Sequence, residues 1–278
     1  MTICHSFWSK PCNGNRWNVV SHLQWKVNLY CFMMSCLLAQ KHGCRVVFYG
    51  DREAIEMFKI IPYDDMIELI IPEDAPLQCW AQGKFYAYQK MNLGDIHIDG
   101  DVFLKGDGIY ERLAGDYDCI VQSKEVLQST YVGYIKCHRR LKNLEWSDFC
   151  TSKKSPAYNV GICGFKNQEF KDRYIKHYFD SLEMIKHMRL KRDPYFMPDL
   201  LLEQQHLYEI AKGYKYNVQV LLGDETGDMR KICNDAYTLG YQHVLSSRKY
   251  EEFEYIRADL MKLNPHYCSI LDEFTADL

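Results

Sequence analysis

The sequence predicts an α/β fold in which helices flank a largely parallel central sheet. Three observations carry this. Through the first hundred residues, short β-type runs alternate with helical patterns, the order expected of successive βαβ units. Runs such as Val46-Val47-Phe48 are continuously apolar, which marks strands buried on both faces. With 278 residues, 47% of them hydrophobic, the chain has ample material for one large core.

In chain order, strands are expected over 3–7, 45–49, 66–71 and 95–99, separated by helices over 21–42, 52–60 and 80–91. Residues 27–39 form the most apolar stretch. It is about half the length a bilayer crossing needs, and Lys26, Gln40 and Lys41 flank it, so it reads as a core helix. Beyond residue 104 the rhythm changes. A strand is expected over 119–122, a helix over 124–141 and a strand over Ala157–Phe165. Helices follow over Gln168–Lys186 and 198–212, then a strand near 217–222, a short segment at 240–245 and helical stretches from 247 onward. No repeat or linker-like tract interrupts the chain. The expected organisation is one domain over 1–278, with a first half at 1–104, a second at 105–250 and a helical segment at 251–278.

A net charge of −3 offers no electrostatic pull toward nucleic acid or an anionic membrane. Twelve cysteines occur without a single CxxC pair, mostly inside apolar runs, and read as reduced, buried thiols of a cytoplasmic protein. The first ten residues lack the basic start and apolar core of a signal peptide, and no transmembrane segment is expected.

The chemistry gathers at Ile96-His-Ile-Asp-Gly-Asp-Val-Phe-Leu104, an apolar run closing on Asp99 and Asp101. On a strand, residues two apart share a face, so both carboxylates would converge on one point. Such a pair repels unless a cation lies between, and Mn²⁺ or Mg²⁺ accepts oxygen ligands while keeping positions open for phosphate. Taken alone, the pair is equally a solvated strand end. An EF-hand register from Asp95 fails, because it places Gly106 where the bidentate Glu belongs. A phosphatase of the haloacid-dehalogenase type fails on Phe103 and on the motif's position a third of the way along the chain.

Three later features add weight, and each also has a plain structural reading. The strand at 157–165 carries Asn159, Gly161 and Gly164; glycine in a strand marks a bulge or a close approach. Glu203 and Gln204 sit on or beside the apolar stripe of the helix at 198–212, where a carboxylate needs a partner, catalytic or structural. His243 could complete a carboxylate metal site or simply pack, and Lys249 follows six residues on as a point charge for a diphosphate.

In order and spacing, these motifs resemble the GT-A class of nucleotide-sugar glycosyltransferases, nearest to the retaining glycosyltransferase family 8 that includes glycogenin and bacterial galactosyltransferases. Asp99-Gly-Asp101 matches the family's Asp-x-Asp, Asn159-Val160-Gly161 its Asn-(Ala/Thr/Ser)-Gly strand and Glu203-Gln204 its acidic-Gln pair. His243 and Lys249 match His-x-x-Gly-x-x-Lys, with Ser246 in place of the usual Gly. The segments at 6–11 and 80–84 also resemble a bacterial group with this fold.

The resemblance implies a mixed, mostly parallel GT-A sheet and a metal-dependent transferase. A UDP-sugar would be the donor, a glycan or small molecule the acceptor, and transfer would proceed with retention. It assigns Asp99, Asp101 and His243 to Mn²⁺ or Mg²⁺. Ser6, Trp8, Asp51, Lys84, Asp99, Asn159, Gly161 and Lys249 would bind the donor, with 1–104 as the nucleotide half. Glu203 or Gln204 would stabilise or attack the sugar. An inverting enzyme would instead use a base such as Asp193 or Asp199. A sugar-1-phosphate nucleotidyltransferase would carry a Gly-rich basic loop after the first strand, where this chain has only Lys10 and Gly14. The remaining alternative is a non-catalytic nucleotide-sugar binder.

Overall fold

The computed structural model describes residues 1–13, 21–126, 132–141, 155–186, 197–245 and 248–276. The first half runs β1 (Thr2–Phe7), α1 (Ser9–Asn13), α2 (Ser21–Lys41), β2 (Arg45–Gly50), α3 (Arg52–Phe58), β3 (Asp65–Glu68), α4 (Gln82–Lys90) and β4 (Ile96–Ile98). Then come β5 (Val102–Leu104), α5 (Asp107–Leu113), β6 (Cys119–Glu125), α6 (Val132–Leu141), β7 (Ala157–Phe165) and α7 (Gln168–Lys186). A π-helical turn, Leu200–Gln205, leads into α8 (His206–Tyr214), β8 (Val218–Val220), α9 (Met229–Thr238) and β9 (Tyr241–His243). Helices α10 (Arg248–Glu251), α11 (Phe253–Leu263) and α12 (Pro265–Phe274) follow.

Seven strands form one sheet in the order β3-β2-β1-β4-β7-β6-β8. It is mixed and mostly parallel: β7 runs antiparallel to β4 and β6, and every other neighbouring pair is parallel. The pleat sends alternate residues into two separate cores. Ile3, Val46, Phe48 and Ile120 pack under α2, while Cys4, Val47, Tyr49 and Val121 pack under α4 and α7. Apolar on nearly every side, α2 is buried against the sheet, β5, α11 and α12. No described helix is long and apolar enough to cross a membrane. Ten cysteines are free thiols, and all of these except Cys233 are buried.

Three expectations are corrected. The helix expected from residue 124 begins later, since Lys124 and Glu125 continue β6 opposite Tyr158 and Ala157. Cross-strand pairing there outweighs local propensity. The strand expected over 66–71 stops at Glu68, leaving Ile70 exposed at the sheet edge. The helix expected over 198–212 is π-helical across Leu200–Gln205 before it becomes α8. Helices α5 and α9 add to the expected elements.

A buried polar chain ties α2 to β1 and β5. Ser35 Oγ donates to the Val102 carbonyl at 2.7 Å, His5 Nε2 lies 3.1 Å from that hydroxyl, and His5 Nδ1 lies 3.0 Å from Tyr63 Oη. A neutral imidazole with its proton on Nε2 satisfies all three groups, and burial pushes its pKa down to about 3. Burial moves His206 the same way, with His177 and His138 adding to the effect. The unfolded chain titrates these rings near pH 6.5, so stability is complete above that value and falls as pH drops toward 3. Each such imidazole contributes a slope approaching about 1.4 kcal/mol per pH unit. Urea midpoints should therefore decline from pH 7 to pH 5; a flat profile would show that the rings protonate inside the fold.

Candidate active site

Asp99 and Asp101 do converge, though not by strand alternation. Strand β4 ends at Ile98, and residues 99–102 form a turn closed by Val102 N–H donating to the Asp99 carbonyl at 2.9 Å. Gly100 is required within it, because a Cβ there would lie 2.1 Å from the Phe32 ring. The Asp99 N–H donates to the Gly161 carbonyl at 2.8 Å, which pins the turn to β7.

His243 arrives by register. Strands β5 and β9 pair antiparallel with Val102 opposite His243, and Val244 N–H donates to the Asp101 carbonyl at 2.9 Å. One ligand atom each from Asp99, Asp101 and His243 lies within 4.8 Å of the others, all three residues being partly buried.

Two lysines complete the cluster. Lys84 Nζ on α4 lies 2.8 Å from Asp99 Oδ1 and 2.9 Å from Glu203 Oε1. Lys249 Nζ on α10 lies 3.4 Å from Asp101 Oδ2 and donates to Asn28 Oδ1 at 3.0 Å. His243 Nε2 lies 3.3 Å from Asp101 Oδ1. Three carboxylates thus face two ammonium groups, and the compensation is uneven. Burial raises the Asp99 carboxyl, with Lys84 opposing and Asp101 adding to the rise. Burial works in the same direction at Asp101, but Lys249 and His243 together hold it well below the usual carboxylate range. Burial would lower the Lys84 ammonium, and Asp99 and Glu203 reverse that and raise it.

Beside the lysines opens a cavity of about 150 Å³ lined by Ser6, Trp8, Trp80, Lys84, Lys249 and Tyr250, among others. An added Cβ on Gly83 would lie 3.1 Å from Trp8 Cβ, so that glycine lets α4 approach the cavity wall. Ser6 Oγ pairs with His97 Nε2 at 2.8 Å.

Other expected residues lie elsewhere or serve differently. Asp51 lies outside this cavity, on an adjoining open groove; its carboxylate accepts from Ser9 Oγ at 2.5 Å and caps α3 through Ala54 N–H. Glu203, with its side chain 2% exposed, reaches the cluster through Lys84. Gln204 is half-buried on the same π-turn, and Tyr174 Oη fixes that turn by donating to the Glu203 carbonyl at 2.7 Å. Asn159 spans Glu125 Oε1 at 2.9 Å and Gly161 N–H at 3.0 Å. At Gly161 the close approach comes from protein side chains: an added Cβ would lie 2.3 Å from Gln122 Oε1 and 2.7 Å from His243 Cε1. Asp199, considered as an acceptor-side base, lies inside the fold. It is buried, accepting from Ala81 N–H at 2.8 Å and Tyr178 Oη at 2.9 Å. Asp193 and Ser246 lie outside the described residues.

Gln122, Asn28 and Tyr250 were missed by sequence reasoning. A signal existed for two of them: Asn28 stands in an otherwise apolar helix and Gln122 follows Cys-Ile-Val in a buried strand, where an amide needs partners.

Among solved structures, the chain is similar to a galactosyltransferase, LgtC, determined with donor and acceptor sugar analogs. Identity is 11% and the TM-score 0.45, over 79% of this chain and 73% of that one. It is similar also to mouse xyloside xylosyltransferase 1, with 12% identity and a TM-score of 0.39 over 79% and 85% of the two chains. A third is the glycosyltransferase GlyE of Streptococcus pneumoniae, with 11% identity and a TM-score of 0.34 over 73% and 44%. These likenesses transfer no residue roles, and what the site can do rests on its own side chains. No curated protein matches the sequence. A family described as of unknown function, DUF6734, matches residues 1–273, and the chain belongs to that family.

Proposed function

We propose that the chain is a divalent-cation-dependent glycosyltransferase that takes a UDP-sugar and passes the sugar, with retention, to a glycan or small-molecule acceptor. The observation that carries this reading is the convergence of Asp99, Asp101 and His243 beside a cavity walled by two lysines and aromatic rings. The donor set fits a cation. Two carboxylate oxygens and one imidazole nitrogen lie within 4.8 Å of one another, and ligands of a shared ion can be separated by at most about twice a 2.1–2.5 Å bond. The excess of carboxylates over ammonium groups leaves a negative charge for the ion to offset.

In this reading Asp99, Asp101 and His243 hold Mn²⁺ or Mg²⁺. When bound, the ion supplies Lewis-acid stabilisation for a departing nucleoside diphosphate. Lys249 and Lys84 bring ammonium donors to the same diphosphate, where charge develops as the glycosidic bond breaks. Glu203 serves by holding Lys84 in place, and Gln204 is the member of the pair assigned to the sugar. Trp8, Trp80 and Tyr250 offer ring faces for a base, and Ser6 a hydroxyl. Retention is favoured over inversion because Asp199, one of the two carboxylates considered as an acceptor base, is occupied inside the fold.

A thermal-shift panel tests the reading. UDP-, GDP-, CDP- and ADP-sugars are each added with Mn²⁺ or with EDTA, and products are followed by NMR. Stabilisation by UDP-sugars only with Mn²⁺, with slow release of UDP and free sugar, is the expected result. Cation-independent binding, or pyrophosphate formation from UTP and a sugar 1-phosphate, would overturn it.

A further inference from the structure

We infer that Gln122 is a positioning residue that fixes the tautomer of His243, so that Nε2 presents a lone pair to the cation held by Asp99 and Asp101; this rests on the metal-site reading above. Three separate features of the chain converge on one oxygen. Strands β6 and β7 shift register between Val121 and Ser123, where Gln122 alone stands opposite three residues of β7, Val160, Gly161 and Ile162. The irregularity is a bulge of β7 that includes Gly161, and the Gln122 amide stands opposite it, against His243. Opposite it, β7 has Gly161, whose missing Cβ leaves the room that Gln122 Oε1 and the imidazole occupy. From β9, Tyr241 Oη lies 2.6 Å and His243 Nδ1 3.0 Å from that same Oε1.

A carbonyl oxygen only accepts, so Tyr241 donates its hydroxyl proton and His243 donates from Nδ1. In the neutral ring this leaves Nε2 without a proton, facing Asp101 Oδ1 at 3.3 Å. A lone pair directed at a carboxylate oxygen is unfavourable until a positive charge comes between them. Gln122 thereby does for His243 what an outer carbonyl or carboxylate does for many metal-bound histidines: it sets the ring's proton and its orientation. Gln122 is itself buried beside the ring.

The test uses the full chain labelled with ¹⁵N-histidine, long-range ¹H–¹⁵N correlation near pH 8, and calorimetric titration of Mn²⁺ with UDP present. In the wild type, His243 should carry its proton on Nδ1. Gln122→Leu should shift the ring toward the Nε2–H form and weaken Mn²⁺ about 10–100-fold. Gln122→Glu, which retains an acceptor oxygen, should restore the Nδ1–H form and most of the affinity. A merely structural role would lower stability in Gln122→Leu without moving either readout. Unchanged Mn²⁺ affinity in Gln122→Leu, or an Nε2–H ring in the wild type, would overturn the inference. A wild type indifferent to Mn²⁺, whose Nδ1–H form still depends on Gln122, would uphold the positioning and defeat the metal reading instead.

Discussion

Asp101→Asn should abolish the stabilisation that Mn²⁺ and UDP confer together. At one hundred times the dissociation constant, a ligand bound only by the folded state adds about 2.7 kcal/mol, or about 5–10 °C in a chain of this size. Asn keeps the size of the side chain and an acceptor oxygen while removing the charge. In the wild type that charge lies 3.4 Å from the Lys249 ammonium, which holds the carboxyl well below the usual carboxylate range. The variant should also be less stable without ligand, since Lys249 is left with Asn28 as its neutral partner. The decisive comparison is therefore the ligand-induced shift within each protein, rather than the melting temperatures of the two free proteins. A shift in Asp101→Asn equal to that of the wild type would remove this carboxylate from the metal site.

Lys84→Met should be the most destabilising single change in the cluster. Its ammonium lies 2.8 Å from Asp99 and 2.9 Å from Glu203, and deleting it leaves two carboxylates without their shared cation. Breaking a buried ion pair from one side costs about 3–5 kcal/mol, roughly 6–20 °C at this chain length. The Asp99 carboxyl, already raised by burial and opposed by Lys84, would then rise further. The deficit is full at neutral pH and shrinks as pH falls, because the folded state takes up protons first. Adding Glu203→Gln removes one of the two carboxylates that Lys84 bridges, so the double variant should melt above Lys84→Met. A pair of effects that simply add, measured by urea unfolding at pH 7, would show that Lys84 and Glu203 act independently.

Much of the site was legible because its signals are local. Asp-x-Asp after an apolar run, a lysine on the preceding helix, and a histidine six residues before a lysine can all be read without knowing which strands touch. The order of elements was legible for the same reason: periods of two and near four residues record which faces are apolar. What escaped were consequences of pairing between distant segments. Lys124 and Glu125 have no strand signature of their own and take one from Tyr158 and Ala157. Glu203 shows as an acid near an apolar stripe, but nothing in its neighbourhood says that Lys84 will be its partner. Asp51 stands just before the helix expected over 52–60, a local sign of the cap it forms on α3, but nothing nearby in the chain pointed to Ser9.

By itself, then, the sequence determined an α/β sheet flanked by helices and the identities of the acids, lysines and imidazole that meet at its rim. Only the tertiary structure decided how they meet: through a turn rather than a pleat, with His243 delivered by the β5–β9 register and Gln122 set against it opposite a bulge of β7 at Gly161. The physical reason is range. Side-chain periodicity is written within a few residues, whereas a hydrogen-bonded register between segments far apart in the chain depends on the packing of everything between them.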